Sequence, residues 1–472
     1  MTGSILASAL VYIAIVIGIG IWSFSRTKTA ADFYIAGKAL GLVVISLTTM
    51  STIMSGFTFV GGPGLQYQLG MVSLWILLPA PLTNTMTCWL LGKRLRMLAE
   101  KHEVFTIPDA IAIRFGSRLA SGLAAAAILI GSIGYLATQV QALGVVIASI
   151  FYIGIVPAAL IGVAIILFYS VAGGMIAGAY NDVFQGIVMV FASVTIFIFA
   201  IASAPGLPAM LHTIKAADPL YLHPWGKSSL FTALGWFFLF SFGVLGQPHI
   251  INKFFMIKDL KVLKWMPVLV TITTIMCGLI WFGIGVSVKY RVVAGLMPPL
   301  ERPDQASSVF LLNYTPGILA GITFAGIMAA IMSTAIAFIN IGSAALVRDI
   351  PLSFGRNLAD QLLWGRFAVV AICAIATAVS LLTTRLVALQ GVFGWGSFAA
   401  ALAPVMAIGF NWKGATRAAA IASISTGMLV NAVLELFAPS RRWLPEGVLP
   451  PMVSLLVSFI VFIGVSFAGR KK

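Results

Sequence analysis

Along this chain apolar runs of about twenty residues alternate with short polar spacers, and the period-2 alternation of a half-buried strand is nowhere sustained. Runs of this length cross the hydrocarbon core of a bilayer as helices rising 1.5 Å per residue. They begin near Ile5, Leu42, Met71, Leu119, Val156, Val183, Leu230, Val268, Gly317, Phe367, Leu386, Ala418 and Val448, which gives about thirteen transmembrane helices. Lipid offers the backbone no hydrogen-bond partner, so the pattern predicts an all-α polytopic membrane protein. The spacers are short. No Ser/Gly/Pro-rich linker divides the sequence, which reads as one integral membrane domain over residues 1–472.

Two of the runs are interrupted. The second reads LTTMSTIMSGFTFVGGPGLQYQLG, with hydroxyls from Thr48 to Ser55 followed by Gly56, Gly61, Gly62, Pro63 and Gly64. The seventh reads FTALGWFFLFSFGVLGQPHIINKF, with Gly243, Gly246, Gln247, Pro248 and His249 in its inner half. Glycine and proline free carbonyls from the helix ladder, and those carbonyls must then be used by something buried. Interrupted spans five apart are what an inverted repeat of five plus five helices would put at the start of each half. Close packing alone also favours Gly and Pro in membrane helices.

Hydrophobic residues make up 60% of the chain and charged residues 9%, and mean hydropathy is +1.05, outside the soluble globular range. The formal net charge of +16 would suggest nucleic acid on a soluble protein. Here it follows the spacers. If these alternate sides, one set holds only Lys215, Lys227, Lys289, Arg291, Arg302, Arg385, Arg441 and Arg442 of the 29 basic residues. The richer set is cytoplasmic by the positive-inside rule, so the amino terminus is expected outside and the carboxyl terminus inside, facing anionic lipid. The first run lacks a basic leader and a small-residue cleavage site and reads as a retained span. Cys88, Cys277 and Cys373 are scattered through spans, with neither disulfide nor metal-ligand spacing.

Ser333 and Thr334 stand together in the apolar segment FAGIMAAIMSTAIAFINIGSAALVRD. Hydroxyls in membrane helices commonly bond back to their own carbonyls. The alternative is that these two face protein, water or a desolvated ion. Ala330, Ser333 and Thr334, at i, i+3 and i+4, share one helix face. Asp182 is the one carboxylate read as close to a span interior, a functional candidate or a cap at the inner water boundary.

With ADFYIAGKALG (Ala31 to Gly41), SGFTFVGGPG (Ser55 to Gly64), YSVAGGMIAGAYNDVFQG (Tyr169 to Gly186), GVLGQPHIINKF (Gly243 to Phe254) and MAAIMST (Met328 to Thr334) in order, the chain resembles the sodium:solute symporter family, nearest its proline and pantothenate members. The resemblance implies a leucine-transporter-type five-plus-five inverted repeat over 41–411, an accessory helix over 1–25 and two more over 412–472. It implies Na+ as the transported coupling ion, held by the carbonyls of Ser51 and Met54 and the oxygens of Ala330, Ser333 and Thr334. It assigns Asp182 to sodium release toward the cytoplasm. Proline symporters carry an aspartate where this chain has Ile53, which bears on sodium affinity.

Substrate candidates near the midplane are Thr52 and Phe57, Tyr135 and Gln139, Phe240, Val244 and Gln247, and Trp395. Tyr135 matches a substrate-contacting tyrosine of the proline symporter, while Val244 is nearer the pantothenate pattern. The expected activity is sodium-coupled import of a small organic solute across a bacterial inner membrane, leaning to a carboxylate such as pantothenate or a monocarboxylate. Proline-type amino-acid symport and a symporter-like solute sensor are the alternatives, and the lack of a further domain after Gly469 speaks against the sensor. No Ser/His/Asp set, HExxH or carboxylate pair points to an enzyme, and no nucleic-acid or obligatory protein partner is expected.

Overall fold

The computed structural model describes residues 2–24, 40–172, 175–383, 385–437 and 443–469. Most of the Ala31 to Gly41 motif and part of the Tyr169 to Gly186 motif lie outside these residues. Helix α1 (Thr2–Phe24) leads to α2 (Leu42–Ile53), which stops at Met54 and continues after a π-type turn (Phe57–Gly61) as α3 (Gly62–Leu69). Gly70, at φ 74°, then turns the chain into a 3-10 segment (Gly70–Ile76). A Cβ there would lie 2.2 Å from the Tyr221 carbonyl oxygen, so only glycine fits. Helices α4 (Ala80–Thr87) and α5 (Lys93–Lys101) complete the next span. A Thr106–Asp109 capping box starts α6 (Ile107–Phe115), and Ser117 caps the long α7 (Arg118–Phe151).

Next come α8 (Ile155–Ala172), α9 (Met175–Ala202) and the short α10 (Leu207–Ala217). The second interrupted span is α11 (Leu230–Gly243), a 3-10 turn at Val244–Gly246, then α12 (Pro248–Ile251) and α13 (Lys253–Met256), bent by 50°. It is followed by α14 (Val262–Val293), α15 (Ala306–Tyr314), α16 (Gly317–Ala344), α17 (Ile350–Ser353), α18 (Gln361–Leu382), α19 (Val387–Ala407), α20 (Arg417–Leu436) and α21 (Pro450–Ala468). Each predicted span start falls on or beside one of these elements. Among the described residues nine helices are long and apolar enough to cross a membrane, ten with the bent pair, and Gly3–Ile19, Leu42–Ile53 and Ile155–Leu167 are shorter apolar helices.

The two interrupted spans meet at the centre of the bundle. Helix α2 packs among α9, α14 and α16, while α19 lies on α7 and on the Val244–Gly246 turn. Just before α2 and just after α13 the spans are stitched by backbone bonds, Leu40 N to Met256 O (3.2 Å) and Lys258 N to Leu40 O (3.0 Å). Arg96 of α5 adds a bond from Nε to the Ile257 carbonyl at 2.8 Å.

Four charges differ from the sequence reading. Lys253, counted above with a cytoplasmic spacer, is buried in α13. Asp182 is not the lone buried acid either, because Asp304, Asp349 and Glu435, the last paired with Arg385 at 2.9 Å, are buried too. Each has local partners: both Asp304 carboxylate oxygens accept from Val387 N, and Asp349 accepts from Thr106 and Arg348. Asp304 lies outside the spans, where burial pushes its carboxyl up to about 6 against the opposing Val387 hydrogen bond and Arg302 charge.

Candidate functional site

Helix α2 ends because Met54 leaves helical geometry at ψ 125°, which frees the carbonyls of its last turn. Gly56 holds the break against α7. Its N–H donates to Gln139 Oε1 at 2.9 Å, and a Cβ on it would sit 2.5 Å from that of Ala142. The uninterrupted α16 faces the break with Ser333 and Thr334, both buried. Ser333 Oγ donates to Ser51 O at 2.9 Å and lies 3.3 Å from Ala330 O; Thr334 Oγ1 donates to Met54 O at 3.0 Å and approaches Thr52 O at 3.5 Å.

The five oxygens assigned by resemblance therefore fall in two buried clusters where α16 meets the break, Ser333 Oγ with Ser51 O and Ala330 O, and Thr334 Oγ1 with Met54 O. Carbonyls and hydroxyls without a fixed carboxylate suit a small hard cation that must also leave. A bound cation would turn the hydroxyl protons outward and take up their lone pairs. Two bonds of about 1 kcal/mol net each would be exchanged for ion contacts.

Beside the break lies a cavity with about 60 Å³ of water-accessible space. Of the substrate candidates, Phe57, Tyr135, Phe240, Val244 and Trp395 line it. Phe240 stacks on Trp395 at 4.9 Å, Phe57 lies 5.8 Å from Phe240, and Tyr135 Oη is 3.3 Å from Ser55 Oγ. Thr52, Gln139 and Gln247 do not line it. Thr52 bonds back to Thr48 O and Thr49 O at 3.1 and 3.0 Å. Gln139 serves the Gly56 N–H, and Gln247 donates to Gly243 O (3.1 Å) and Trp395 O (3.0 Å).

Sequence reasoning missed the polar side of the cavity, formed by Thr58, Thr83, Asn84 and Thr274. Asn84 donates to Thr271 Oγ1 at 3.1 Å, while Thr274 Oγ1 is buried with no partner among the described residues. The signal available was the polar triplet Thr83, Asn84 and Thr85 inside the third apolar run. No charged side chain lines the cavity. Met54 joins the two regions, since it lines the cavity and its carbonyl accepts from Thr334 Oγ1.

Asp182 faces Lys253, whose Nζ donates to its Oδ2 at 3.2 Å with both side chains about nine-tenths buried. Four residues before Lys253, the His249 ring packs 4.8 Å from Phe338 and 6.3 Å from Tyr135. The second arm of the second interrupted span, α12 and α13, thus runs from beside the cavity wall to the acid.

The profile of the sodium:solute symporter family matches residues 33–427. The chain is 25% identical to a sodium/pantothenate symporter of Escherichia coli over 96% of this chain and 94% of that protein. It is 30% identical to a sodium/proline symporter of Haemophilus influenzae (90% and 86% covered), and 27% identical to an osmoregulated proline transporter of Bacillus subtilis (90% and 88%). Its fold matches a solved Na+-coupled sialic acid symporter with a TM-score of 0.80 at 16% identity, covering 98% of both chains. A nucleobase-cation-symport-1 family transporter follows at TM-score 0.56 and 13% identity, covering 94% and 96%. A match across most of the length by profile, backed by these full-length relatives, makes the conclusion direct: the chain belongs to the sodium:solute symporter family.

Proposed function

We propose that this sodium-coupled symporter imports a small organic carboxylate, with one sodium ion in the five-oxygen cage and the solute in the adjoining cavity. Met54 carries the reading. Its carbonyl closes the cage and its side chain borders the cavity, so ion and solute would share a wall. In a cavity lined by no charged side chain, that sodium is the nearest cation to a solute carboxylate. Solute and ion then bind cooperatively, and by linkage each raises the other's affinity by the same factor.

In this reading Phe57, Phe240, Val244 and Trp395 take the apolar part of the solute, and Tyr135, Asn84 and Thr274 supply neutral hydrogen bonds. Thr52, Gln139 and Gln247 act one layer back by holding the breaks. Asp182 forms the inner end of the sodium path. The amino terminus is outside, and alternating access follows from rocking of the interrupted helices against the continuous ones. The membrane potential and sodium gradient supply the work, and no catalysis is assigned.

An amino-acid solute is the second reading. Relatives are named for proline, and the cavity-lining Thr274 Oγ1, buried with no partner among the described residues, is an acceptor for an amine. Uptake of a radiolabelled panel of monocarboxylates, pantothenate and amino acids into proteoliposomes, with sodium against choline outside, separates the two. Sodium-dependent uptake confined to amino acids would overturn the first.

A further inference from the structure

We infer that Lys253 competes with the departing sodium ion for the Asp182 carboxylate, so that exchange of one cation for the other sets the rate of sodium release to the inner side. This rests on the proposed place of Asp182 at the inner end of the sodium path and adds the residue that governs it.

The position of Asp182 comes from its helix contacts. Thr48 Oγ1 lies 3.4 Å from Ala179 O, and a Cβ on Gly186 would lie 3.2 Å from Met50 Cε and 3.4 Å from Leu47 O. Asp182 is midway along this stretch of α9 where it borders the inner half of α2. One turn further along α2 from Thr48, about 4.5 Å of rise, stands Ser51, whose carbonyl belongs to the cage. An ion leaving the cage inward meets Asp182 within about a helical turn.

The carboxylate it meets is already neutralised by the Lys253 ammonium at 3.2 Å. Sodium and ammonium carry the same charge, and one buried carboxylate compensates one of them. Around the pair the polarity suits cation transit more than a dry structural bridge. Next to them in the chain, Asn181 Oδ1 and Asn252 Oδ1 are buried with no partner among the described residues, each an acceptor free to solvate a passing ion. Lys253 also rides on the arm that carries His249 against Tyr135, so a shift of the cavity wall moves the ammonium relative to Asp182.

The test uses the full-length protein and radioactive sodium as the only probe, measuring equilibrium binding in detergent and release from preloaded proteoliposomes. Lys253→Gln leaves the acid without its resident cation: half-saturating sodium should fall about tenfold and release should slow by a similar factor. Lys253→Arg should behave as the parent protein. The neutral pair Asp182→Asn with Lys253→Gln should return both quantities to within about threefold of the parent. Unchanged or weaker sodium binding in folded Lys253→Gln, or a double variant that keeps the single variant's tight binding, overturns the inference. If Lys253→Gln is not recovered folded, Asp182→Asn is compared with the double variant. The unpaired lysine should make the former bind sodium several-fold more weakly, and equal binding overturns the inference. If Asp182→Asn leaves sodium binding and release unchanged, the underlying reading of Asp182 fails. If it slows release while Lys253→Gln does not, only the competition fails.

Discussion

Replacing Thr334 by valine keeps the branched shape and removes one cage oxygen. The hydroxyl is fully buried and donates to Met54 O at 3.0 Å, so its loss acts in two opposed ways. A desolvated ion loses a ligand, at about 1 to 3 kcal/mol. Before the ion arrives the Met54 carbonyl also loses its donor, and sodium then satisfies that carbonyl, which returns about 1 kcal/mol to binding. At the middle of that range the net expectation is a loss of about 1 kcal/mol, or about fivefold in half-saturating sodium at 1.4 kcal/mol per decade, and at most about 2 kcal/mol. Thr334→Ser retains the oxygen and should stay within about threefold. Solute uptake into proteoliposomes is measured against external sodium, with choline balancing the salt and the potential clamped. Unchanged sodium dependence in Thr334→Val would falsify the cage assignment. Equal losses in Val and Ser variants would attribute the effect to packing.

Tyr135→Phe removes a cavity hydroxyl and should raise the solute KM about 5- to 20-fold while leaving sodium binding in the absence of solute unchanged, a split checked by uptake and radioactive-sodium binding. Gly56→Ala forces a Cβ against Ala142 at the break and should lower the melting midpoint in detergent, with a cost of about 1 to 3 kcal/mol; a melting curve like the parent's would contradict the packing at the break. Asp304, raised to about 6 by burial, binds its proton more readily folded than unfolded, so that contribution is complete below pH 4 and fades as pH rises through 6. Relative to Asp304→Asn, the parent should therefore gain up to about 3 kcal/mol as pH falls from 7 to 4, read from melting midpoints across that range.

What the sequence made legible is local. Glycine and proline punctuate a helix wherever they occur, so both interruptions were readable at Ser55–Gly64 and Gly243–Pro248, and the i, i+3, i+4 spacing put Ala330, Ser333 and Thr334 on one face. Pairing across the chain was not readable. Asp182 and Lys253 are 71 residues apart, and a lysine beside Asn252 at a span end reads as an interfacial charge. The glutamines misled for a physical reason. Gln139 and Gln247 looked like solute contacts because buried amides need partners, but the interrupted helices had already created backbone groups to occupy them. Asn84 and Thr274 escaped because a single amide or hydroxyl in a span gives no signal until two helices bring them to one cavity.

The most direct test of sodium–carboxylate symport is accumulation of the best monocarboxylate in proteoliposomes under a fixed tenfold inward sodium gradient, with and without an inside-negative potential of about 100 mV. One sodium with a monoanion moves no net charge, so accumulation should depend on the gradient, worth about 1.4 kcal/mol, and scarcely change when the potential is imposed. A net positive charge per cycle would add about 2.3 kcal/mol. Stimulation approaching about fiftyfold, or equal accumulation with choline in place of sodium, would contradict the account.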